Sequence, residues 1–281
     1  MFDGALDVIP LAIVAATPLL LAVLGELVVQ RSGIINLGIE GMMLAAAMTS
    51  VLAAQATKSV FIGFAGGVAG AALIALLFGV FVIALEADQI VTGTAINLLA
   101  LGATSFVYRE LQQGAIFVQS VPRLERDFVL PLAWIGIPIV LALFLWSTTA
   151  GLRLRACGEN PDVLGARRVA AHRALALAIE AVLAGLAGAY LALALSSGFA
   201  ENMTAGRGII ALSIVIFGRW KLKGALLGTA IFGLAAALQY ALQASAHGVP
   251  FHLLLAVPYV VTLLILCGVA GKVRAPESLG R

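Results

Sequence analysis

Charged residues are scarce in this 281-residue chain, in which Asp, Glu, Lys and Arg make up only 11% and apolar residues 62%. A soluble domain of this length carries about a quarter charged residues. The scarcity of charge and the mean hydropathy of +1.09 exclude a soluble globular protein and indicate an integral membrane protein. The net charge of +3 reflects where the arginines lie and does not indicate nucleic-acid binding.

Cysteine and histidine are also scarce, with two and three residues. Cys157 and Cys267 lack the spacing of a metal or redox pair, so we interpret them as reduced thiols. The sequence contains no phosphate-binding G-x-x-x-x-G-K-[ST], no G-x-S-x-G and no H-E-x-x-H. We therefore expect no catalytic residue, no metal and no cofactor, and if the chain pumps a substrate, the energy comes from elsewhere.

Long apolar runs occupy most of the chain. A helix needs about 20 apolar residues to cross the hydrocarbon of a bilayer. The sequence therefore predicts an all-α polytopic membrane protein with about eight or nine transmembrane helices. The predicted spans are 8–29, 33–54, 59–85, 89–108, 128–149, 174–196, 208–218, 224–243 and 252–270. The seventh is short: it is either extended by 197–207 or is a half-helix that does not cross fully.

Successive spans cross the membrane in alternating directions, so the connecting loops fall on its two sides. The basic residues are divided unequally between these sides. Twelve of the 17 lie on one side and five on the other. Five of the twelve lie in the longest polar interruption, residues 150–173. Because cytoplasmic loops carry an excess of Lys and Arg, we predict that this side is cytoplasmic, that the N-terminus is outside and that the C-terminus is cytoplasmic.

Two glycine-led segments are similar to one another. GIINLGIEG (33–41) and GIIALSIVI (208–216) share five of nine residues, for which chance identity is the alternative in so apolar a chain. Four spans also lie on each side of one linking span. The sequence therefore predicts a single domain, 1–281, with a first repeat of about 8–108, a linking helix 128–149, a cytoplasmic loop 150–173 and an inverted second repeat of about 174–270. Inverted repeats are typical of transporters with a substrate site near the midplane.

Three carboxylates, Glu26, Glu40 and Glu180, fall within predicted spans. A charge at the bilayer centre costs about 2.5–3.5 kcal/mol on insertion scales, so such residues usually face a protein interior. We interpret Glu26 as snorkelling to the interface or pairing with Arg31 rather than binding substrate. Glu180 either pairs with Arg173 or a neighbouring helix, or lines a pathway.

Further polar residues are candidates for a substrate pathway. Asn36 precedes Glu40 by four residues, which predicts that the two side chains share a helix face. Glu40 is then either a buried clamp between two helices or a wall of the pathway. The other candidates are Thr94, Asn97, Ser213 and Gln239. Helix–helix hydrogen bonding is the commoner role of single polar residues in membranes.

Three blocks of the sequence resemble one known family. They are LGELVVQRSGIINLGIEGMMLAAA (24–47), ADQIVTGTAINLLALGATSF (87–106) and TTAGLRLRACGENPDVLGARRV (148–169), the last continued by 181–193 and 206–228. They resemble permease subunits of ATP-binding-cassette importers, in the group that includes ribose-type and branched-chain amino-acid-type permeases. The form INLGIEG is similar to the branch associated with nucleoside uptake, which depends on a basic membrane lipoprotein. Glu180 stands where this resemblance leads us to expect a small residue.

The resemblance implies a transmembrane permease subunit of an ATP-driven nucleoside importer in a bacterial cytoplasmic (inner) membrane. The implied partners are a cytoplasmic ATPase, a second and paralogous permease, an extracytoplasmic substrate-binding protein and membrane lipid, with no nucleic acid. It also implies that GL-x-LRA-x-GENP is the coupling loop that docks on the ATPase. The resemblance assigns contact with the ATPase to six residues of this loop, which are Arg155, Gly158, Glu159, Asn160, Pro161 and Asp162. Pro161 would open a short helix with Asn160 as its N-cap.

Other functions remain open at the level of sequence. Import of a simple sugar or a branched-chain amino acid is the alternative within the group. Inverted repeats also allow a proton-coupled secondary transporter with Glu40 and Glu180 as relay groups, and a membrane scaffold is a third class. An importer permease would purify with an ATPase, whereas a proton-coupled carrier would transport alone under a pH gradient.

Overall fold

The computed structural model describes residues 8–113, 126–196, 198–245, 260 and 275–280, and within these ranges the chain is helical without strands. The α-helices are α1 (Val8–Arg31), α2 (Ile39–Thr57), α3 (Val60–Gly79), α4 (Gln89–Gln113), α5 (Arg126–Pro131), α6 (Ile137–Ser147), α7 (Thr149–Glu159), α8 (Ala166–Tyr190), α9 (Arg207–Phe217) and α10 (Leu222–Ser245). Turns of π-helix follow α3, α5 and α8, at Val80–Ala84, Leu132–Gly136 and Leu191–Leu195, and a 3-10 turn occupies Pro161–Val163.

Seven helices in the described part of the chain are long and apolar enough to cross a membrane. The prediction of an all-α polytopic membrane protein is therefore confirmed at this level. Eight of the nine predicted spans coincide with a described helix. The ninth, 252–270, lies outside the described residues except for Val260. The second span is displaced, because α2 begins at Ile39 and not at residue 33.

The short seventh span is a half-helix. Residues 201–206 form turns, so they do not extend α9. Its 11 residues give a length of about 16 Å at 1.5 Å per residue. The hydrocarbon core is about 30 Å thick. Of the two alternatives for this span, the structure therefore supports the helix that does not cross.

The polar interruption at 150–173 is largely helical and not a loop. The hydroxyl oxygen of Thr148 accepts a hydrogen bond of 3.0 Å from the backbone N–H of Gly151, which caps the start of α7. Leu154 and Cys157 point into the protein and are fully buried. Residues 166–173 form the first two turns of α8. Ala, Leu and Arg are strong helix formers, so the segment has the composition of a helix in spite of its charge.

Glycines allow α2, α3 and α8 to pack with their backbones close together. A Cβ built on Gly63 would lie 2.8 Å from the Cβ of Ala54. A Cβ on Gly67 would lie 3.2 Å from the carbonyl oxygen of Gly185, and one on Gly188 would overlap the carbonyl oxygen of Met43. Small residues at such positions are typical of close helix packing in membranes.

This packing predicts a strong difference between two glycine-to-alanine substitutions. Gly188→Ala is expected to lower the free energy of unfolding by about 1–3 kcal/mol, because the added methyl group overpacks the α2–α8 contact. Gly102→Ala is the control, because its Cβ meets nothing within 4 Å. Thermal unfolding of the two purified variants in detergent measures the difference. Equal melting temperatures would contradict the packing described here.

Ion pairs mark the two ends of the helix bundle. At one end the guanidinium of Arg31 lies 3.6 Å from the carboxylate of Glu159. At the other end Arg109 donates hydrogen bonds of 2.9 and 3.1 Å to Glu201, and this contact holds the pKa of Glu201 below its ordinary value. Arg31 thus lies at the same end as the polar segment 150–173, and Arg109 lies at the opposite end. Which end faces the cytoplasm stays a prediction.

Candidate functional site

The chain between α1 and α2 is not helical, although it lies inside the bundle. Residues 32–38 form turns and irregular backbone, and Asn36 is fully buried. Irregular backbone at membrane depth must be buried in protein or line a cavity, because lipid cannot satisfy its N–H and C=O groups. This stretch, which we call the broken segment (32–38), therefore requires polar partners from neighbouring helices.

Side chains of α4 supply several of these partners. The amide of Asn97 donates to the carbonyl oxygen of Leu37 at 2.7 Å and accepts from the N–H of Gly41 at 2.8 Å. The side-chain oxygen of Gln89 accepts from the N–H of Ile35 at 2.7 Å. Both side chains hold the broken segment in place. Asn97 was a predicted pathway residue, and the structure places it beside this segment.

Glu40 connects α2 with the half-helix α9. Its Oε1 accepts a hydrogen bond of 2.8 Å from the N–H of Gly206, and its Oε2 accepts one of 2.6 Å from the N–H of Gly208. The first N–H groups of a helix have no partner within the helix, and they carry the positive end of its dipole. The carboxylate therefore satisfies and stabilises the N-terminus of α9.

The start of α9 lies well inside the bundle. Trp220, just after α9, accepts a hydrogen bond from Arg31 at the end of α1. The C-terminus of α9 therefore lies at the same end of the bundle as Arg31. Because α9 is about 16 Å long, its N-terminus is about halfway across a hydrocarbon core of about 30 Å. Asn97 is eight residues into α4, which corresponds to about 12 Å from the start of that helix. The broken segment and the half-helix thus meet near mid-depth.

A cluster of buried polar side chains lies behind the broken segment. Glu26 and Glu180 are both fully buried, on α1 and α8. Gln30 donates to Oε1 of Glu26 at 2.8 Å, and Asn36 donates to Oε2 of Glu180 at 2.6 Å. The remaining oxygens, Glu26 Oε2 and Glu180 Oε1, have no hydrogen-bond partner among the described residues. The side chain of Glu180 lies against α1 next to Glu26, since a Cβ built on Gly25 would lie 3.2 Å from its Cγ.

These contacts correct two interpretations drawn from the sequence and agree with one alternative for a third residue. Glu26 neither snorkels nor pairs with Arg31, because it is buried more than one turn from the helix end and accepts from Gln30. Glu180 packs against α1 and accepts from Asn36, which agrees with the alternative of a neighbouring helix. Asn36 does not share a helix face with Glu40, because it precedes the first residue of α2.

The structure does not place the other predicted pathway residues next to one another. Thr94 is exposed, and its hydroxyl donates to the carbonyl oxygen of Ile90 on its own helix. Ser213 is half-buried and donates to the carbonyl oxygen of Ile209. Gln239 is buried on α10, which packs against α1 and α9. Their assignment to a substrate pathway stays a prediction.

The predicted coupling residues lie at the end of the bundle that holds Arg31. Glu159, Asn160 and Asp162 are exposed, Arg155 and Pro161 are half-buried, and Gly158 is buried. Pro161 occupies the first position of the 3-10 turn as predicted. Asn160 precedes that turn, but its side chain forms no capping hydrogen bond, so the prediction of a capping role is wrong.

A cavity and a buried thiol lie beside these residues. The cavity has a volume of about 930 Å³ and is bordered by the turn between α3 and α4, by 159–162 and by the C-terminal residues 277–280. Cys157 is free, and burial raises the pKa of its thiol. A buried thiol with a raised pKa is unreactive, which agrees with its interpretation as a reduced residue.

A broken segment and a half-helix that meet near mid-depth are typical of membrane transporters. Residues 9–267 match the family described as branched-chain amino acid transport system / permease component. The chain belongs to this family of permeases. The permease is therefore a multi-pass protein of the cytoplasmic membrane, as predicted. No solved structure matches it.

Curated relatives align with nearly the whole permease. It is 33% identical to the guanosine ABC transporter permease protein NupQ of Bacillus subtilis, covering 97% of this chain and 95% of the relative. It is 33% identical to the nucleoside ABC transporter permease protein NupC of Lactococcus lactis, covering 95% and 93%. It is 37% identical to the putative glucose ABC transporter permease protein TsgC13 of Haloferax volcanii, covering 80% and 74%.

Sequence reasoning missed Gln30 and Trp220 as members of the buried cluster. The indole N–H of Trp220 donates to the side-chain oxygen of Gln30 at 2.6 Å, across a large separation in sequence. The spacing of Glu26 and Gln30, four residues apart on one helix, was the available signal. The sequence contained no comparable signal for Trp220, which lies in a turn.

Proposed function

We propose that this permease is the membrane subunit of an ATP-binding-cassette importer for nucleosides. The observation that carries the proposal is the meeting of the broken segment with the N-terminus of α9 near mid-depth. Transporters bind substrate at such discontinuous helices, where backbone groups and short polar side chains are available. The family match and the nucleoside permeases among the relatives support the substrate class.

The chemistry of the site suits a neutral, hydrogen-bonding substrate. Both carboxylate oxygens of Glu40 are occupied by backbone N–H groups, so this charge is compensated within the protein. The remaining candidates, Asn97, Thr94, Ser213 and Gln239, are uncharged donors and acceptors. A nucleoside is neutral and carries several donors and acceptors, which side chains of this kind bind with specificity.

We assign the surface formed by Glu159, Asn160, Asp162 and Val163 as the docking surface for the ATPase. Val163 is 75% exposed, and it lies among charged and polar residues. An exposed apolar residue with a polar surround is typical of a protein interface. In this proposal the surface is cytoplasmic, the N-terminus is outside, and about eight or nine spans form two inverted repeats. A second, paralogous permease and an external binding protein complete the importer.

A simple sugar is the second candidate substrate. The observation in its favour is the 37% identity to the putative glucose permease protein of Haloferax volcanii. A sugar is also neutral and rich in hydroxyl groups, so the polar side chains of the site do not distinguish it from a nucleoside.

Uptake by the complete importer tests the function. The permease, its paralogous partner, the ATPase and the binding protein are reconstituted in liposomes with ATP inside, and uptake of labelled guanosine is measured. We expect competition by other nucleosides and none by glucose or leucine. Competition by glucose alone would support the sugar candidate. Uptake driven by a pH gradient without ATP would contradict both candidates.

The docking surface predicts the effect of Val163→Arg. Because Val163 is exposed, the substitution leaves the fold intact, but it places a long charged side chain in the interface. We expect the ATPase to copurify about tenfold less well, which corresponds to about 1.4 kcal/mol of binding free energy. Lys223→Gln, which changes an exposed residue in the first turn of α10, is expected to copurify normally. Equal copurification of both variants would remove Val163 from the interface.

A further inference from the structure

One side chain, Arg31, joins the proposed docking surface to the half-helix α9. Its Nη1 lies 3.6 Å from Oε1 of Glu159, the last residue of α7. Its Nε donates a hydrogen bond of 2.8 Å to the carbonyl oxygen of Trp220, in the turn after α9. A guanidinium group carries several donors in a fixed plane, so it can hold two partners at once. Arg31 therefore contacts α7 and the end of α9 together.

The turn that Arg31 contacts has an unusual backbone. Arg219 and Trp220 have φ values of 54° and 53°, in the left-handed region that residues other than glycine rarely adopt. Such a conformation persists only where its surroundings hold it. Here the indole N–H of Trp220 donates to Gln30 at 2.6 Å, and its carbonyl oxygen accepts from Arg31. The turn is thus fixed from two sides by the end of α1.

Contacts of Trp220 continue to the broken segment. Gln30, which accepts from Trp220, donates to Glu26 at 2.8 Å. The backbone carbonyl oxygen of Gln30 also accepts from the N–H of Gly33 at 3.1 Å. A series of polar contacts therefore leads from Glu159 at the surface to the first residues of the broken segment. Energetic coupling between distant sites is carried by connected side chains and hydrogen bonds. This series of contacts is such a connection.

The end of α7 is also clamped directly to the end of α1. A Cβ on Gly158 would overlap the carbonyl oxygen of Arg31, so only glycine allows this approach. The hydroxyl and the N–H of Ser278 donate to the carbonyl oxygens of Cys157 and Gly158 at 2.7 and 2.9 Å. The N–H of Gly280 donates to the carbonyl oxygen of Gly33 at 3.0 Å. A displacement of α7 must therefore displace the end of α1.

We propose that Arg31 is a positioning residue that transmits the movement of α7 to α9, through its simultaneous contacts with Glu159 and Trp220. The inference rests on the proposed function, in which an ATPase moves α7. It goes beyond that function by naming the residue through which movement at the surface reaches the substrate site. Arg31 itself is not required for the ATPase to bind, because it lies behind Glu159 and its side chain is only 20% exposed.

The test measures ATP hydrolysis and guanosine uptake together in the complete importer in liposomes. For Arg31→Gln we expect hydrolysis to continue and uptake per ATP to fall about tenfold, within the range of coupling energies known for residues between two sites. Arg31→Lys is expected to be intermediate, because an ammonium group cannot span both partners. Arg109→Gln is the matched control. It breaks the ion pair with Glu201 at the opposite end, and we expect an unchanged ratio.

Two further measurements separate coupling from folding and from the proposed function. Trp220→Phe keeps the ring but removes the N–H that binds Gln30. We expect it to fold with a lowered melting temperature, since one buried hydrogen bond is lost, and to lower uptake per ATP. If Arg31→Gln does not fold, this variant and Arg31→Lys decide the question. An unchanged ratio in the folded variants would overturn the role of Arg31. Absence of ATP-dependent uptake in the wild type would instead overturn the proposed function.

Discussion

Replacing both Glu26 and Glu180 by glutamine is expected to destabilise the permease, whereas either single replacement is expected to be tolerated. In each single variant the new amide oxygen accepts from Gln30 or Asn36, as the carboxylate does now. The new NH2 group is then expected to donate to the unpartnered oxygen of the other carboxylate. In the double variant both of these positions carry NH2 groups, and neither has an acceptor. Turning either amide leaves Gln30 or Asn36 without an acceptor, at about 1–3 kcal/mol.

An apolar substitution of Glu180 measures how much its side chain contributes to the free energy of unfolding. Glu180→Leu leaves the side-chain NH2 group of Asn36 buried without its carboxylate acceptor, and we expect a loss of about 1–3 kcal/mol. Thermal unfolding of the four variants and the wild type in detergent gives the double-mutant cycle. Additive losses in the two single glutamine variants and the double variant would show that the two side chains do not interact.

Glu40→Ala is expected to release the N-terminus of α9 and to abolish most transport. The substitution leaves the N–H groups of Gly206 and Gly208 without an acceptor, at about 1–3 kcal/mol for each. Glu40→Gln keeps one of the two hydrogen bonds, because only one of its terminal atoms is an acceptor. We therefore expect an intermediate loss in the glutamine variant.

Uptake kinetics distinguish a clamp from a pathway residue. Because both oxygens of Glu40 are held by α9, we expect Glu40→Gln to reduce the maximal rate of guanosine uptake about tenfold, equivalent to about 1.4 kcal/mol. The KM is expected to stay nearly constant, since no direct contact with substrate is lost. A raised KM with an unchanged maximal rate would show that Glu40 binds substrate. Unchanged values of both would remove Glu40 from the site altogether.

The spans could be predicted because the cost of exposing polar groups to lipid imposes long apolar runs. The same rule failed where the chain is buried in protein. Residues 33–38 are apolar enough to continue a helix, but the carboxamides of Gln89 and Asn97 replace the helical hydrogen bonds. Hydropathy does not detect such replacement, so the start of α2 was placed six residues too early.

The buried cluster could not be predicted because its members are distant in sequence. Glu26, Glu180 and Trp220 come from α1, α8 and the turn after α9, and no local pattern connects them. A carboxylate in a span indicates a protein-facing position, but it does not name the partner. Arg31 and Arg173 were the nearest opposite charges along the chain, but the partners in the structure are the uncharged Gln30 and Asn36.

The glycine contacts among α2, α3 and α8 restrict which parts of the permease can move. Helices whose backbones touch have no side-chain layer in which to slide, so these three helices form one rigid body. The other side of the substrate site is the 11-residue α9, which is attached through the left-handed turn at Arg219 and Trp220. In the proposed importer we therefore expect α9 to move together with the turn that the end of α1 holds, with the rigid body as the fixed wall.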